Sequence, residues 1–597
     1  MRLATALIGS EEKWGIVIHH PKRAEDWIFF PAACESIFQR CASHPTNGMY
    51  QCLKSFAPPA GWPDTLQGFL ALEEEGMLAL QKLEQYLMVF LRRGDQFAIE
   101  TAGQPLTMTK LCPPIPRPRL MLGLVQNSPS FWRKNPDRQI ANFMPQGHQR
   151  PVASLLGQDD IFAPVDGYNV ELGVVIGKLG KDIPVDHARE YIAGYTVVID
   201  GCHGSFWDRF FQREGESRGE MCARLGWYLD ATCSWAGKKA NARCAVGPWM
   251  ITADEIGDVY DLLVYTLENG VVRDRSHTAG MSIGVERTLH FYSTIFTLRP
   301  GDIIHMGTLG TDGLFQQLPI SIDQNTRYQA EIEGIGRLSA RAIGWKENDD
   351  WRTEEEKRLP IAPSDRYLLS HHLDRLQEAW HPAKAYNAWL CFGNYHDSEK
   401  IEQMPATPFP RFLNAPASCV TQNKSRITLS KRAQRISVDP QLAFVIRKMA
   451  YQVAEADAEE HIYGYCAAIC VTDYSIHDQI IQPATPQEEQ LSQVYGRWGD
   501  GYNVLGSLGK LPAWNSTITL KTQDGGSITS ALSEYRHTPA QILHFISQGI
   551  TLYPGDVVCC GRLSQMVYIP QGAYDHGYQI SVEIEGMEKV STTLCKE

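Results

Sequence analysis

At 597 residues the chain is longer than a single hydrophobic core supports, and a composition 43% hydrophobic and 21% charged is that of an ordinary folded protein. A formal charge of −12 excludes a general nucleic-acid or anionic-membrane binder, whose affinity comes from excess Lys and Arg, and points to small-molecule chemistry instead. No run of about 18 uncharged apolar residues suggests a membrane span or a signal segment, and fifteen cysteines without a CxxC pair suit reduced thiols in a cytoplasmic compartment.

In chain order, residues 1–111 read as a small N-terminal α/β module. It has strand-like "WGIVIHH" and "DWIFF", then a helical stretch through "LALEEEGMLALQKLEQYLMVFLRR" with apolar residues three and four apart. The proline-rich "CPPIPRPRL" opens a second region, 112–345, whose segments "ELGVVIGK", "GYTVVID", "GDIIHMGTL" and "AEIEGIG" are short strands punctuated by Gly, Pro and Asp. Residues 346–384 are charged and proline-broken, a linker followed by a short helix, and 385–597 form the last region.

That last region repeats the second. "YIAGYTVVIDGCHGSFWDRFFQ" recurs as "HIYGYCAAICVTDYSIHDQIIQ", and "LHFYSTIFTLRPGDIIHMGTL" as "LHFISQGITLYPGDVVCCGRL", with the Pro-Gly-Asp turn in register. The expectation is a mainly β (α+β) chain, with two β-roll or barrel domains in tandem behind the N-terminal module.

Chemistry is sought first where ionisable residues enter strands. Alternation places Asn169 and Glu171 on one face of a strand, and Asp200 closes a second strand. Oxygen donors converging from strand ends are what a hard divalent cation takes, the plain alternative being solvated strand-end carboxylates. The pair Cys466 and Cys470 lies in a strand-like run and reads as core filling. "GVVIGKL" lacks the glycine spacing of a phosphate loop, and the adjacent pairs His19–His20 and His371–His372 read as surface residues.

Together "ELGVVIGK", "YIAGYTVVID", "KKANARCAVGPWMITADEI", "LENGVV" and "LRPGDIIHMGTLGT" resemble, in order and spacing, the fumarylacetoacetate hydrolase family. The resemblance implies an enzyme that cleaves, decarboxylates or isomerises a 2-oxo acid or 1,3-dicarbonyl compound. Mg²⁺ or Mn²⁺ would sit on Glu171, Asp200 and Asn169, with Lys238 and Thr308 as active-site residues. Enolate charge builds beside the carbonyl in such reactions, and a metal with an ammonium group stabilises it.

The sequence departs from the family pattern at several places. Asn169 stands where a Glu is expected, which weakens the metal site; Asn241 replaces an Asp three residues past the lysine, and Gly204 an arginine. Phe131 and Lys134 occupy the places of the water-activating His and Glu, and His203 is the candidate substitute as acid or base. In the second copy Asp439, Gln441 and Cys470 fall on the ligand positions, so that copy is expected to bind no metal. It would serve the first as an intramolecular pseudo-dimer, with further homo-oligomers left open. Two alternatives follow from the departures: a repurposed enzyme catalysing a cyclisation or rearrangement without the usual metal, or a non-catalytic metabolite- or partner-binding protein. The second copy's "FGNYHDSEK" keeps the family's Asn-Tyr pair, which leaves a contribution to the first copy's pocket open.

Overall fold

The computed structural model describes residues 1–42, 57–93, 99–125, 127, 145–162, 167–202, 212–217, 220–221, 238–309, 326–342, 385, 387–396, 398, 409–481 and 494–597. The elements used below are strands β1 (Arg2–Ile8), β2 (Glu11–His20), β3 (Glu25–Phe29), β4 (Met121–Val125), β5 (Gln146–Gln149), β6 (Gly167–Ile176), β7 (Ile192–Cys202), β8 (Cys244–Thr252) and β9 (Ile303–His305). In the second half they are β10 (Ala388–Phe392), β11 (Arg411–Ala415), β12 (Ile436–Ile446), β13 (Ile462–Asp473) and β14 (Val557–Cys559).

The chain is mainly β. A 12-stranded sheet includes the run β3-β2-β1-β8-β7-β6-β9-β4-β5, and an 8-stranded sheet in the second half includes the run β11-β10-β14-β12-β13. The sub-order β5-β4-β9-β6-β7 therefore recurs as β11-β10-β14-β12-β13, and each copy adds its own 5-stranded sheet. The N-terminal strands continue the first copy's sheet, since β1 pairs with β8 at Arg2↔Ile251 and Leu3↔Met250.

Register fixes which residues correspond between the copies. Asn169 faces Asp200 as Asp439 faces Cys470. Gly173 faces His305 as Ala443 faces Cys559, and Gly123 lies between His305 and His148 as Leu390 lies between Cys559 and Leu413.

Period-2 alternation separates the two faces of the first sheet. Leu172, Val174, Val197 and Ile199 pack into one core with Ala330 and Leu338 of the copy's second sheet. On the other face Val175, Val198 and Ile303 join Leu3, Trp14 and Leu80 of the N-terminal region, and Glu171, Asp200 and His305 belong to that face by register.

The copies meet about an approximate twofold. Asn241 Nδ2 donates to Thr551 Oγ1 at 2.6 Å, and Thr551 N donates to Asn241 Oδ1 at 2.9 Å. The related contact is Thr297 N donating to Asp500 Oδ2 at 2.8 Å, and Tyr495 exchanges hydrogen bonds of 2.8 Å with both Gly147 N and Gly147 O. Such reciprocity is the signature of an isologous interface, here within one chain.

Cys466 and Cys470 are free and buried in the core, as read. His20, expected on the surface, is fully buried beside Glu100, because β2 turns alternate residues inward and His20 falls on the inner face next to exposed His19. His371 and His372 lie outside the described residues. No helix among those described is long and apolar enough to cross a membrane.

Candidate functional site

The inner face of β6, β7 and β9 carries a buried ionic cluster. Asp200, fully buried, receives the Arg150 guanidinium on Oδ1 and the Lys238 ammonium on Oδ2. Arg150, itself fully buried, also donates to the carbonyls of Lys238 and of Gly201, the latter at 3.1 Å. It arrives from the end of β5, whose neighbour Met121 accepts from Arg150 N at 2.7 Å. The curled sheet thus brings β5 across onto β7, two strands far apart in the sheet order.

Burial alone would push the Asp200 carboxyl up, but the Arg150 and Lys238 charges overcome it and hold Asp200 well below the usual carboxylate range. Lys239 shows the opposite case: burial, helped by Arg150, pulls its ammonium down to about 7. Lys238 differs from its neighbour in having the Asp200 carboxylate to meet.

The second carboxylate, Glu171, accepts from His305 Nδ1 and, at 3.0 Å, from Gly307 N. Gly307 has φ +78, the left-handed region that lets its N–H turn back onto Glu171. Burial, then the nearby Asp200 charge, raises the Glu171 carboxyl above its ordinary value, opposed by His305 and Lys238. His305 Nε2 and Glu171 Oε1 are buried without a hydrogen-bond partner among the described residues. The His148 ring stands edge-on to His305, with centroids 6.0 Å apart at 86°, and burial followed by the Lys238 charge pushes its imidazole well below the ordinary range, so it is neutral near pH 7. Gly123 makes the pairing of rings possible, because a Cβ there would run into the His305 ring.

Of the residues predicted from sequence, Glu171, Asp200 and Lys238 converge in this cluster. Asn169 is half-buried directly across from Asp200, and Thr308 is half-buried next to Gly307. His203, with Phe131, Lys134 and Gly204, lies outside the described residues. Sequence reasoning passed over Arg150, His148 and His305. The available signal was an ionisable residue at an inward strand position, as in "GDIIHMG", where His305 shares a face with Ile303.

Asn241, which stands where the family pattern has an Asp, spends its amide on the copy interface. Asn394 of the retained Asn-Tyr pair turns into its own copy: its Nδ2 donates to His537 O at 3.1 Å and Cys560 O at 2.9 Å, just as Asn127 Nδ2 donates to Ile283 O and Met306 O in the first copy. Among the second copy's contacts near the first copy's site is Tyr495, bound to the residue before His148.

Residues 123–342 and again 384–595 match the fumarylacetoacetate (FAA) hydrolase C-terminal family. The chain belongs to this family. Among similar proteins is the mitochondrial oxaloacetate tautomerase FAHD2A of Bos taurus, 33% identical over 189 residues that make up 31% of this chain and 54% of that protein. This chain therefore spans about half the length of that relative. The homoprotocatechuate catabolism bifunctional isomerase/decarboxylase of Escherichia coli is 24% identical over 434 residues, 71% of this chain and 84% of the other. A solved structure of maleylpyruvate hydrolase from Sphingobium sp. SYK-6 in complex with manganese(II) ion and pyruvate is 21% identical, with a TM-score of 0.37, covering 57% of this chain and 99% of that one.

A divalent ion must be weighed against the donors present. His148, Asp200 and His305 each offer a ligand atom, all within 4.8 Å of one another, which is close enough for an ion. The charge balance runs the other way. Both Asp200 oxygens are taken by cations, Glu171 Oε2 is turned to His305 and Gly307, and the charges of Arg150 and Lys238 already cancel those of Asp200 and Glu171. A resident divalent ion would leave two uncompensated positive charges in a buried cluster, so the residues as arranged do not fit one.

Proposed function

We propose that this chain is an enzyme acting on a small 2-oxo acid or 1,3-dicarbonyl compound by forming its enolate, with the Lys238 and Arg150 cations in place of the metal expected from the family pattern. The observation that carries the reading is the Glu171–His305 pair, with Nε2 unpartnered, beside those cations. Glu171 accepts from Nδ1, which fixes the imidazole so that Nε2 carries the lone pair and can take a proton from the carbon next to a carbonyl. As the ring becomes positive, the adjacent Glu171 carboxylate meets the charge. The enolate oxygen develops beside the Lys238 ammonium, a fixed positive group in a largely dry site, where such stabilisation is strongest.

From that enolate, protonation on oxygen instead of carbon gives the enol (tautomerisation) and protonation on another carbon gives isomerisation. Where CO2 leaves in place of the proton, the electron pair of the broken C–C bond forms the enolate and protonation on carbon completes a decarboxylation. The tautomerase and isomerase/decarboxylase names of the relatives support this set. The same enolate attacking within its own molecule accounts for the cyclisation alternative.

The test is hydrogen–deuterium exchange at the carbon next to the carbonyl, followed by proton NMR on a panel of 2-oxo acids and 1,3-dicarbonyls that includes oxaloacetate. The chelator-treated full chain should accelerate exchange on at least one member, and His305→Gln should slow it by roughly 10²–10⁴-fold. No acceleration on any member, or an undiminished rate in His305→Gln, rejects the proposal.

A further inference from the structure

We infer that Arg150 is a built-in substitute for a divalent cation, and that it keeps this chain's affinity for such ions low. The guanidinium sits on the carboxylate that would otherwise be the best oxygen ligand, Asp200, and is held there by two backbone carbonyls, those of Lys238 and Gly201. It is fully buried, so its charge is screened little and acts on any incoming cation at close range. The remaining candidates cannot make up for it. Asn169, across from Asp200, is neutral, and Glu171 has only Oε1 left to offer, its Oε2 accepting from His305 and Gly307.

The second copy supplies an independent observation. By register Arg150 pairs with Met121 as Ala415 pairs with Ala388, so Ala415 occupies the place of Arg150 while Cys470 occupies that of Asp200. Guanidinium and carboxylate have gone together, as two charges that compensate each other must, because a buried charge left behind is costly. Lysine cannot reproduce the planar fork of arginine, but it keeps the charge, and this separates charge from shape.

The inference rests on the cluster being the active site proposed above. Its test reads ion binding rather than turnover, so the two can fail separately. Manganese(II) is titrated into the chelator-treated full chain near neutral pH, and free ion is followed by electron paramagnetic resonance for the wild type, Arg150→Met and Arg150→Lys, with circular dichroism reporting the fold. The wild type and Arg150→Lys should bind weakly, with Kd of about 1 mM or higher. Arg150→Met should bind about one ion per chain, at least roughly tenfold more tightly, because removal of one buried unit charge is worth that much at close range. Tight binding by the wild type overturns the inference, as does a folded Arg150→Met that binds no better. If Arg150→Met does not fold, the wild-type titration decides: binding in the micromolar range refutes the inference and weak binding upholds it.

Discussion

The same strand framework carries an ionic cluster in the first copy and, in the second, a largely apolar one in which Asp439 and Gln441 are the buried polar residues of the matching strand face. Where the first has Gly123, His148, Arg150, Asp200 and His305, the second has Leu390, Leu413, Ala415, Cys470 and Cys559. Leu390, Ala415, Cys470 and Cys559 belong to one hydrophobic core shared between the copies, which also holds Phe291 and Tyr292 of the first. What survives is the hydrogen-bonding skeleton: Gly307 N to Glu171 becomes Gly561 N to Gln441 at 3.1 Å, and the Asn127 contacts recur at Asn394. A fold keeps the bonds that close its own turns. It gives up Arg150 together with Asp200, a compensating pair, and the face released becomes interface.

The largest effect is expected from breaking one such set. Asp200→Cys alone, which copies the second half, strands Arg150 and Lys238 in the interior and should cost about 3–5 kcal/mol of stability along with activity. Arg150→Ala added to it should recover part of the stability but none of the activity. A double-mutant cycle by denaturant unfolding measures the coupling, and strict additivity would show that the two groups do not compensate each other.

Next comes the steric pair. Gly123→Leu, again copying the second half, drives a side chain into the His305 ring and should destabilise by about 1–3 kcal/mol. Combined with His305→Cys, the loss should shrink, since Leu390 and Cys559 coexist in the second copy. Thermal unfolding of the single and double variants checks this.

How far the sequence reaches can be judged from these residues. Alternation placed Asn169 and Glu171 on one face, the internal repeat gave the tandem architecture, and the family pattern singled out Asp200 and Lys238. These are properties of one strand or of a motif in register. Arg150 and His148 are legible only once β5 is known to cross onto β7, and that depends on the curl of a whole sheet. The role of Asn241 was not legible either, because its partner, Thr551, lies 310 residues away. The sequence showed that the second copy had lost the ligand set, but not that the emptied face had become core.

A smaller effect separates the two halves at their contact. Tyr495 lies in the second copy, and its hydroxyl both accepts from Gly147 N and donates to Gly147 O, while burial raises its phenol to about 12, so it stays protonated. Tyr495→Phe removes both bonds and should cost about 1–3 kcal/mol. If the contact positions His148 and Arg150 rather than merely joining the halves, the variant should also lower kcat at unchanged KM on a substrate found by the exchange screen. A loss of stability alone would reduce Tyr495 to an interface residue.

The smallest effect tests what the copies still share. Asp302 and Asp556, the aspartates of the repeated Pro-Gly-Asp turn, are both fully buried, and burial pushes both up to about 7 against the pull of backbone N–H donors at Arg299 and Tyr553. A carboxyl whose pKa is higher folded than unfolded binds its proton more tightly in the native state. Its stabilisation is therefore complete below the unfolded value near 4 and is lost as pH rises through about 7. Asp302→Asn and Asp556→Asn, which mimic the protonated form, should each flatten the fall in stability between those pH values. Equal effects from the two variants would show that the turn is maintained by the same physics in both copies, whatever became of the chemistry it once framed. An effect confined to Asp302 would tie the titration to the ionic cluster of the first copy.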